Sequence, residues 1–248
     1  LYVISIIFKL MVTIKTFIKY FLSKILTLKF LERLSQNIIW RDILKQSKPK
    51  IVSSVTGNMK HEIWNKKVRD VVWDRIPEFI DEKKDILFLE FGVWEGYSIK
   101  YFANKYKSAN SEFYGFDTFT GMPENWRYMY KGHYDQEGSI PETNDNRIKF
   151  LRGLFQKTLP EFLKNLKEES KSKTVIIHLD AVLHSSTLFT LFKLDEYFKE
   201  YHFIFDQLGT DECRAFNSFN DAKQKNFELL LMSEWNHAPE VVFGKYVR

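Results

Sequence analysis

Apolar residues recur along this chain at two spacings. Short, nearly continuous apolar runs at residues 86–91, 113–117, 148–152, 175–179 and 202–205 are bounded by turn-forming or charged residues and predict buried β-strands. Between them the apolar positions recur every three or four residues, which predicts helices over 98–106, 158–169, 186–198 and 212–226. A helix is also predicted over 61–80, with Ile63, Val68, Val71, Val72 and Ile76 on one face. Two last runs, 228–235 and 241–246, read as a closing antiparallel pair. Residues 121–147 carry Gly, Pro, Asn and Asp at many positions and read as one long loop, a length that in a compact domain usually carries function. Strands alternating with helices predict an α/β fold around a mostly parallel sheet, with helices on both faces. No internal repeat or low-complexity tract interrupts it.

The N-terminal fifth differs. Residues 1–50 hold ten Lys and Arg (Lys9, Lys15, Lys19, Lys24, Lys29, Arg33, Arg41, Lys45, Lys48 and Lys50) against Glu32 and Asp42, a net +8, whereas the other 198 residues sum to −3. The polar stretch Gln46-Ser47-Lys48-Pro49-Lys50 reads as a hinge, dividing an arm (1–50) from a main domain (51–248). The arm is apolar but punctuated by lysine, so no run reaches the ~20 residues of a membrane span. It also lacks the small-residue cleavage site of a secretory signal. If residues 9–29 form one helix, their lysines point all around it. Two readings stand: an arm packed on the body or on a second copy in a homo-oligomer, or a peripheral membrane contact through residues 11–45. The chain begins at Leu1, and Met11 is a candidate start.

Composition narrows the class further. The chain has 44% apolar and 28% charged residues, which excludes disorder. Cys213 is the only cysteine, so there is no internal disulfide and no cysteine zinc cluster, and a reducing, cytoplasmic setting is expected. With its basicity confined to the arm, the main domain presents no basic groove for nucleic acid.

Candidate chemistry begins where the first strand ends, at Leu87-Phe88-Leu89-Glu90-Phe91-Gly92-Val93-Trp94-Glu95-Gly96-Tyr97-Ser98. Glycines at 92 and 96 let the backbone approach a ligand where a β-carbon would clash. Asp117 ends the second strand, twenty-one residues after Gly96, where Rossmann-like folds place an acid for ribose hydroxyls. The turn reads G-V-W-E-G rather than G-x-G-x-x-G, which counts against a nicotinamide-dependent oxidoreductase. On the other half of the sheet, Asp180 ends one strand and Asp206-Gln207 another. Two carboxylates and an amide oxygen at neighbouring strand ends form a hard-oxygen set suited to Mg²⁺. His184, four residues after Asp180, is within plausible reach of an acceptor hydroxyl and is a candidate general base. No two histidines have zinc-site spacing.

These blocks, with Gly115-Phe116-Asp117-Thr118-Phe119-Thr120-Gly121-Met122-Pro123-Glu124-Asn125-Trp126, Gly153-Leu154-Phe155-Gln156-Lys157-Thr158-Leu159-Pro160 and His178-Leu179-Asp180-Ala181-Val182-Leu183-His184-Ser185-Ser186-Thr187, resemble the macrocin/mycinamicin-type sugar O-methyltransferases. That family is a branch of the class I S-adenosylmethionine-dependent enzymes. The resemblance runs in order from about Thr56 to the end, and the block from Gly115 to Trp126 is its most specific part. It implies a Rossmann-like sheet of seven strands. It also implies S-adenosylmethionine as cofactor, held by Glu90, Gly92, Gly96 and Ser98 at the methionine end and by Asp117 at the ribose. Gly153 and Phe155 would border the adenine, and Asp180 would sit near the sulfonium. Mg²⁺ on Asp180, Asp206 and Gln207 is implied too, with Asp180 and His184 serving catalysis and a small molecule or glycan as acceptor. Trp126 and the 121–147 loop would cover that acceptor, and His178 matches the family's own histidine in or behind the pocket. The chain departs from the family at Val182, where a second aspartate is usual, at His184, where tyrosine is usual, and at Gln207, where an acid is usual. A cofactor-binding module that has lost catalysis therefore stands as the rival reading.

Overall fold

Five apolar runs become adjacent parallel strands because each is long enough to cross the core and none alternates cleanly with polar residues. In the computed structural model, which describes residues 14–16, 28–127, 129–209 and 211–247, these strands are β2 (Ile86–Phe91), β3 (Glu112–Asp117), β4 (Ile148–Arg152), β5 (Thr174–Leu179) and β6 (Tyr201–Phe205). The closing hairpin is β7 (Asn226–Trp235) and β8 (Ala238–Val247), with β8 antiparallel to both β6 and β7. An eighth strand joins the expected seven: β1 (Lys50–Val55) pairs in parallel with β7. The sheet order is β1-β7-β8-β6-β5-β2-β3-β4.

Successive residues of a strand face opposite sides of the sheet. In β2, Leu87, Leu89 and Phe91 join one core with Phe116, Ile177, Leu179 and Phe203. On that side pack α5 (Phe155–Asn165), α7 (His184–Asp195) and α8 (Asp211–Lys223). The short α6 (Glu168–Lys171) leads from α5 into β5. Ile86 and Phe88 face the other way, into a core with Phe113, Ile176, Ile204 and the buried face of α4 (Tyr97–Lys105). Glu90 shares that second face and is fully buried there. Its register partner on β5 is His178, also fully buried.

The second face is completed by the segment expected to be one helix over 61–80. It is broken instead: α2 (His61–Trp64) runs into a π-helical turn, Asn65–Arg69, then α3 (Asp70–Trp73) and a 3₁₀ turn at Ile76–Glu78. A π turn inserts one residue into the helical ladder and rotates the next turn about the helix axis. Val68, Val72, Trp73 and Ile76 are nonetheless wholly buried, whereas Ile63, expected on the same face but before the insertion, is 44% exposed.

The arm is partly described. Helix α1 (Leu28–Gln46) lies against α8, with Ile43 in the first core and Gln36 Nε2 donating to Asp211 Oδ1 at 3.4 Å. Residues 28–46 thus pack on the body. Most of the helix expected over 9–29, and residues 11–13 and 17–27 of the segment expected to contact a membrane, fall outside the described residues, although 14–16 are helical. Among the described residues no helix is long and apolar enough to cross a membrane.

Candidate active site

Beyond the C-terminal ends of the parallel strands lies a cavity of about 530 Å³, within the size of small-molecule sites. One wall is the turn after β2. Gly92 has φ +95°, and a β-carbon there would stand 2.2 Å from the Asp180 carbonyl oxygen. The ends of β2, β3 and β5 are also tied by Gly92 N donating to Phe116 O (3.0 Å) and Asp180 N to Phe91 O (2.9 Å). Only glycine lets these ends converge. Asp117 then organises the turn. Its Oδ2 accepts from the amides of Val93 (2.7 Å) and Trp94 (3.0 Å), and its Oδ1 from Phe119 N (2.9 Å). Gly96, at φ +75°, starts α4.

A row of charged groups runs along the same strand ends. Ser98 Oγ donates to Glu90 Oε1. Next to Glu90 is His178, whose Nδ1 lies 3.9 Å from Glu90 Oε1 and whose Nε2 lies 3.3 Å from Asp206 Oδ1. Arg69 Nη2 then forms ion pairs with Asp206 Oδ2 and, at 3.0 Å, with Asp180 Oδ2. Three carboxyl groups alternate with two cations.

Their proton affinities reflect this order. Burial alone would lower the His178 pKa, but the Asp206 and Glu90 carboxylates overcome it and raise it to about 10. Burial, with the charge of Asp206, raises Asp180 to about 6 against the pull of Arg69. Burial would raise Asp206 as well, yet Arg69 and His178 outweigh it and hold this acid below its usual range. Glu90 is raised by burial.

Glu240 on β8, 8% exposed, also stands on the cavity wall. Burial, then the charges of Asp206 and Asp180, raise its pKa to about 8. An aromatic rim surrounds the entrance, where His61 stacks on Trp64 (6.1 Å between centroids) and Trp94 meets Tyr134 edge-on (5.8 Å). Trp235 contacts Trp64 at 6.4 Å.

The expected site residues divide into two groups. Gly92, Ser98, Asp117, Phe155, Asp180 and Gln207 line the cavity. Glu90 and Asp206 are wholly buried behind its wall, and His178 between them supports the site without facing it. Gly96 and Gly153 shape turns beside the cavity and are not on its wall. Nor is His184, expected as the general base: it opens α7, and burial together with Arg214 lowers its pKa. Of the expected loop cover, Gly121, Met122, Pro123 and Tyr134 reach the cavity. Trp126 packs behind them, its indole donating to Asp211 Oδ2 at 2.9 Å.

The departures from the resembling family have physical correlates. Val182 adopts φ +51°, costly for a β-branched residue. It is held there because buried Glu212 accepts from the Ala181 (3.0 Å) and Val182 (3.1 Å) amides through Oε1. The Val182 side chain packs with Met122, Trp126 and Leu183 under the loop, where a carboxylate would be desolvated. The expected Mg²⁺ site is not formed by these residues. Asp206 does not reach the cavity, and a guanidinium already lies between it and Asp180. Among the described residues no group of three or more His, Cys, Asp or Glu is placed to hold a metal ion.

Known proteins similar to this chain include methyltransferases. Residues 89–200 match the family model of a methyltransferase domain. The O-methyltransferase NovP superposes with a TM-score of 0.50 at 20% identity, over 71% of this chain and 76% of that one. The O-methyltransferase TomG of Streptomyces achromogenes, involved in tomaymycin synthesis and solved with S-adenosylmethionine, gives 0.41 at 10% identity over 67% and 74%. The Podospora anserina methyltransferase PaMTH1, bound to S-adenosylhomocysteine, gives 0.43 at 12% identity over 86% and 96%. No curated protein matches the chain in sequence. The fold is a Rossmann-like α/β fold, similar to that of an O-methyltransferase and with β1 added at one edge, and within it residues 89–200 match a methyltransferase-domain model.

Proposed function

We propose that this chain transfers a methyl group from S-adenosylmethionine to a hydroxyl of a sugar or glycosylated metabolite. The observation that carries the reading is the turn at Gly92, where the missing β-carbon lets the end of β2 pack against the Asp180 carbonyl while Asp117 binds the Val93 and Trp94 amides, which brings Gly92, Asp117 and Asp180 onto one cavity wall. Gly92, Ser98, Asp117 and Phe155 would hold the cofactor on this wall, with Asp180 at its reactive end. S-adenosylmethionine, when bound, supplies an electrophilic methyl group on a sulfonium.

The chain's residues have three tasks. The cavity walls orient the acceptor oxygen, and orientation supplies much of the acceleration of such a displacement. Trp94 and Tyr134, each 37% exposed on the cavity wall, add apolar aromatic surface of the kind a sugar ring packs against, which supports a sugar or glycan acceptor alongside the sequence resemblance. Glu240, a carboxyl group on the cavity wall, accepts the acceptor's proton. His184 stands off the wall and takes no part in the proposed step. The reaction belongs in the cytoplasm, and magnesium forms no part of it.

The test is ligand binding followed by turnover. At 100-fold excess over Kd, S-adenosylhomocysteine should add about 2.7 kcal/mol of stability. For a chain of this size that is a melting shift of roughly 5–10 °C. A shift with NAD and none with S-adenosylhomocysteine would replace the proposal by an oxidoreductase. Binding without methyl transfer to any of a panel of sugars and glycosides would leave a cofactor-binding module.

A further inference from the structure

The Arg69 guanidinium occupies a position that oxygen chemistry alone would give to a metal. Asp180 and Asp206, at the ends of neighbouring strands β5 and β6, present carboxylate oxygens to one point, and Gln207 is next along the same wall. At that point stands Arg69 Nη2, paired with both. Three observations show that it is fixed there. The guanidinium lies over the Trp64 ring (5.2 Å) and the Trp73 ring (5.1 Å). Its side chain is only 11% exposed. It closes the π-helical turn Asn65–Arg69, an insertion often retained where it re-aims a functional side chain.

We infer that Arg69 is the resident cation of this site, standing in place of a divalent metal and steadying the negative charge that builds on the acceptor oxygen. This rests on the proposed methyl transfer. Arg69 lines the same cavity as Glu240 and Asp180, so its charge is next to the bound acceptor. As the hydroxyl proton passes to Glu240, the oxygen becomes more negative, and a fixed cation in a water-poor site stabilises that change without reorganising. A divalent ion cannot join this arrangement, because it would lie against the guanidinium that already contacts both carboxylates. An arginine cannot shed its proton to make room. Both carboxylates are already paired with this cation.

The experiment titrates the full chain with Mn²⁺, monitored by electron paramagnetic resonance, in the absence of other ligands. The parent should show no stoichiometric binding, and its melting temperature and S-adenosylhomocysteine affinity should be unchanged by chelator. Arg69→Ala opens the acidic pair, and its Mn²⁺ affinity should be at least about tenfold tighter than the parent's. Asp180→Asn added to Arg69→Ala should abolish that gain. Arg69→Met keeps an apolar stem against the two tryptophans and serves the same purpose if Arg69→Ala does not fold. Stoichiometric Mn²⁺ binding by the parent overturns the inference, as does a folded Arg69 variant with no gain in Mn²⁺ affinity. Because the readout is metal binding to ligand-free protein, it is independent of whether the cofactor reading holds.

Discussion

Gly92 and Asp180 touch backbone to backbone: a β-carbon added to the one would come within 2.2 Å of the carbonyl oxygen of the other. The two strand ends are far apart along the chain, and the cavity wall that Gly92 and Asp180 share depends on their closing to this distance.

Gly92→Ala should therefore cost more than a surface substitution. It forces an L-residue into φ +95° and drives its methyl into the Asp180 carbonyl. We expect a loss of at least about 2 kcal/mol in stability. Cofactor affinity should fall with it, since the two strand ends must part. Denaturant unfolding and calorimetric titration check both. A variant as stable as the parent, with full affinity, would show that β2 and β5 need not meet here.

Glu240→Gln tests the proton acceptor. The carboxylate form is the base, and with a pKa of about 8 it is populated as pH rises through that value. The parent's rate should rise with pH and level off above about 8. In the variant kcat should drop roughly 10²–10⁴-fold, with cofactor affinity nearly kept. A midpoint near 6 instead would point to Asp180, whose pKa is about 6.

His178 predicts a pH dependence of stability. Its folded pKa of about 10 lies above the ordinary 6.5, so its contribution is complete below about pH 6.5 and is lost as pH rises through 10. His178→Leu removes the cation between Glu90 and Asp206 and leaves both fully buried carboxyl groups without it. Breaking such a buried pair costs about 3–5 kcal/mol. Thermal melts from pH 6 to 10.5 should show a steeper alkaline loss in the parent than in the variant. Parallel curves would mean that His178 is already neutral.

A chain starting at Ser47 should still bind S-adenosylhomocysteine, because every residue on the cavity wall lies at or beyond Met59. It should nevertheless melt at a lower temperature. Removing α1 uncovers the first core where Ile43, 1% exposed, is seated. A loss of about 1.5–3 kcal/mol corresponds to that side chain alone. Equal melting of the two forms would show that the arm adds nothing to the body.

Much of the fold is legible in the hydrophobic pattern, because parallel strands buried on both faces must be apolar runs. All five runs became strands, with ends displaced by no more than one residue. The glycine turn, Asp117 and Asp180 are legible for the same local reason, since each stands at the end of a run. Arg69 is not. It is one of three basic residues in five, with Lys66 and Lys67, and a π turn has no signature that sets it apart from exposed helix. Glu240 is hidden similarly: it comes after Pro239 in a hairpin, and only the strand order brings it to the cavity. His184 failed in the opposite sense. It is near Asp180 in sequence, but of the residues at the start of α7 it is Leu183 and Ser186, not His184, that line the cavity. The role of a side chain here depends on long-range placement that local pattern does not encode.

Strand β1 adds a constraint on when this protein can finish folding. Its partner β7 lies some 180 residues further along, as in the pairing of Ser54 with Glu234. At the usual pace of synthesis, about 5–20 residues per second, residues 50–55 wait roughly 10–40 s for the strand they must join. Throughout that interval the ribosome holds a chain whose first strand has open hydrogen-bonding edges and an exposed Ile51. The order of assembly is then the reverse of the order of synthesis at this edge of the sheet: the first strand made is the last to dock.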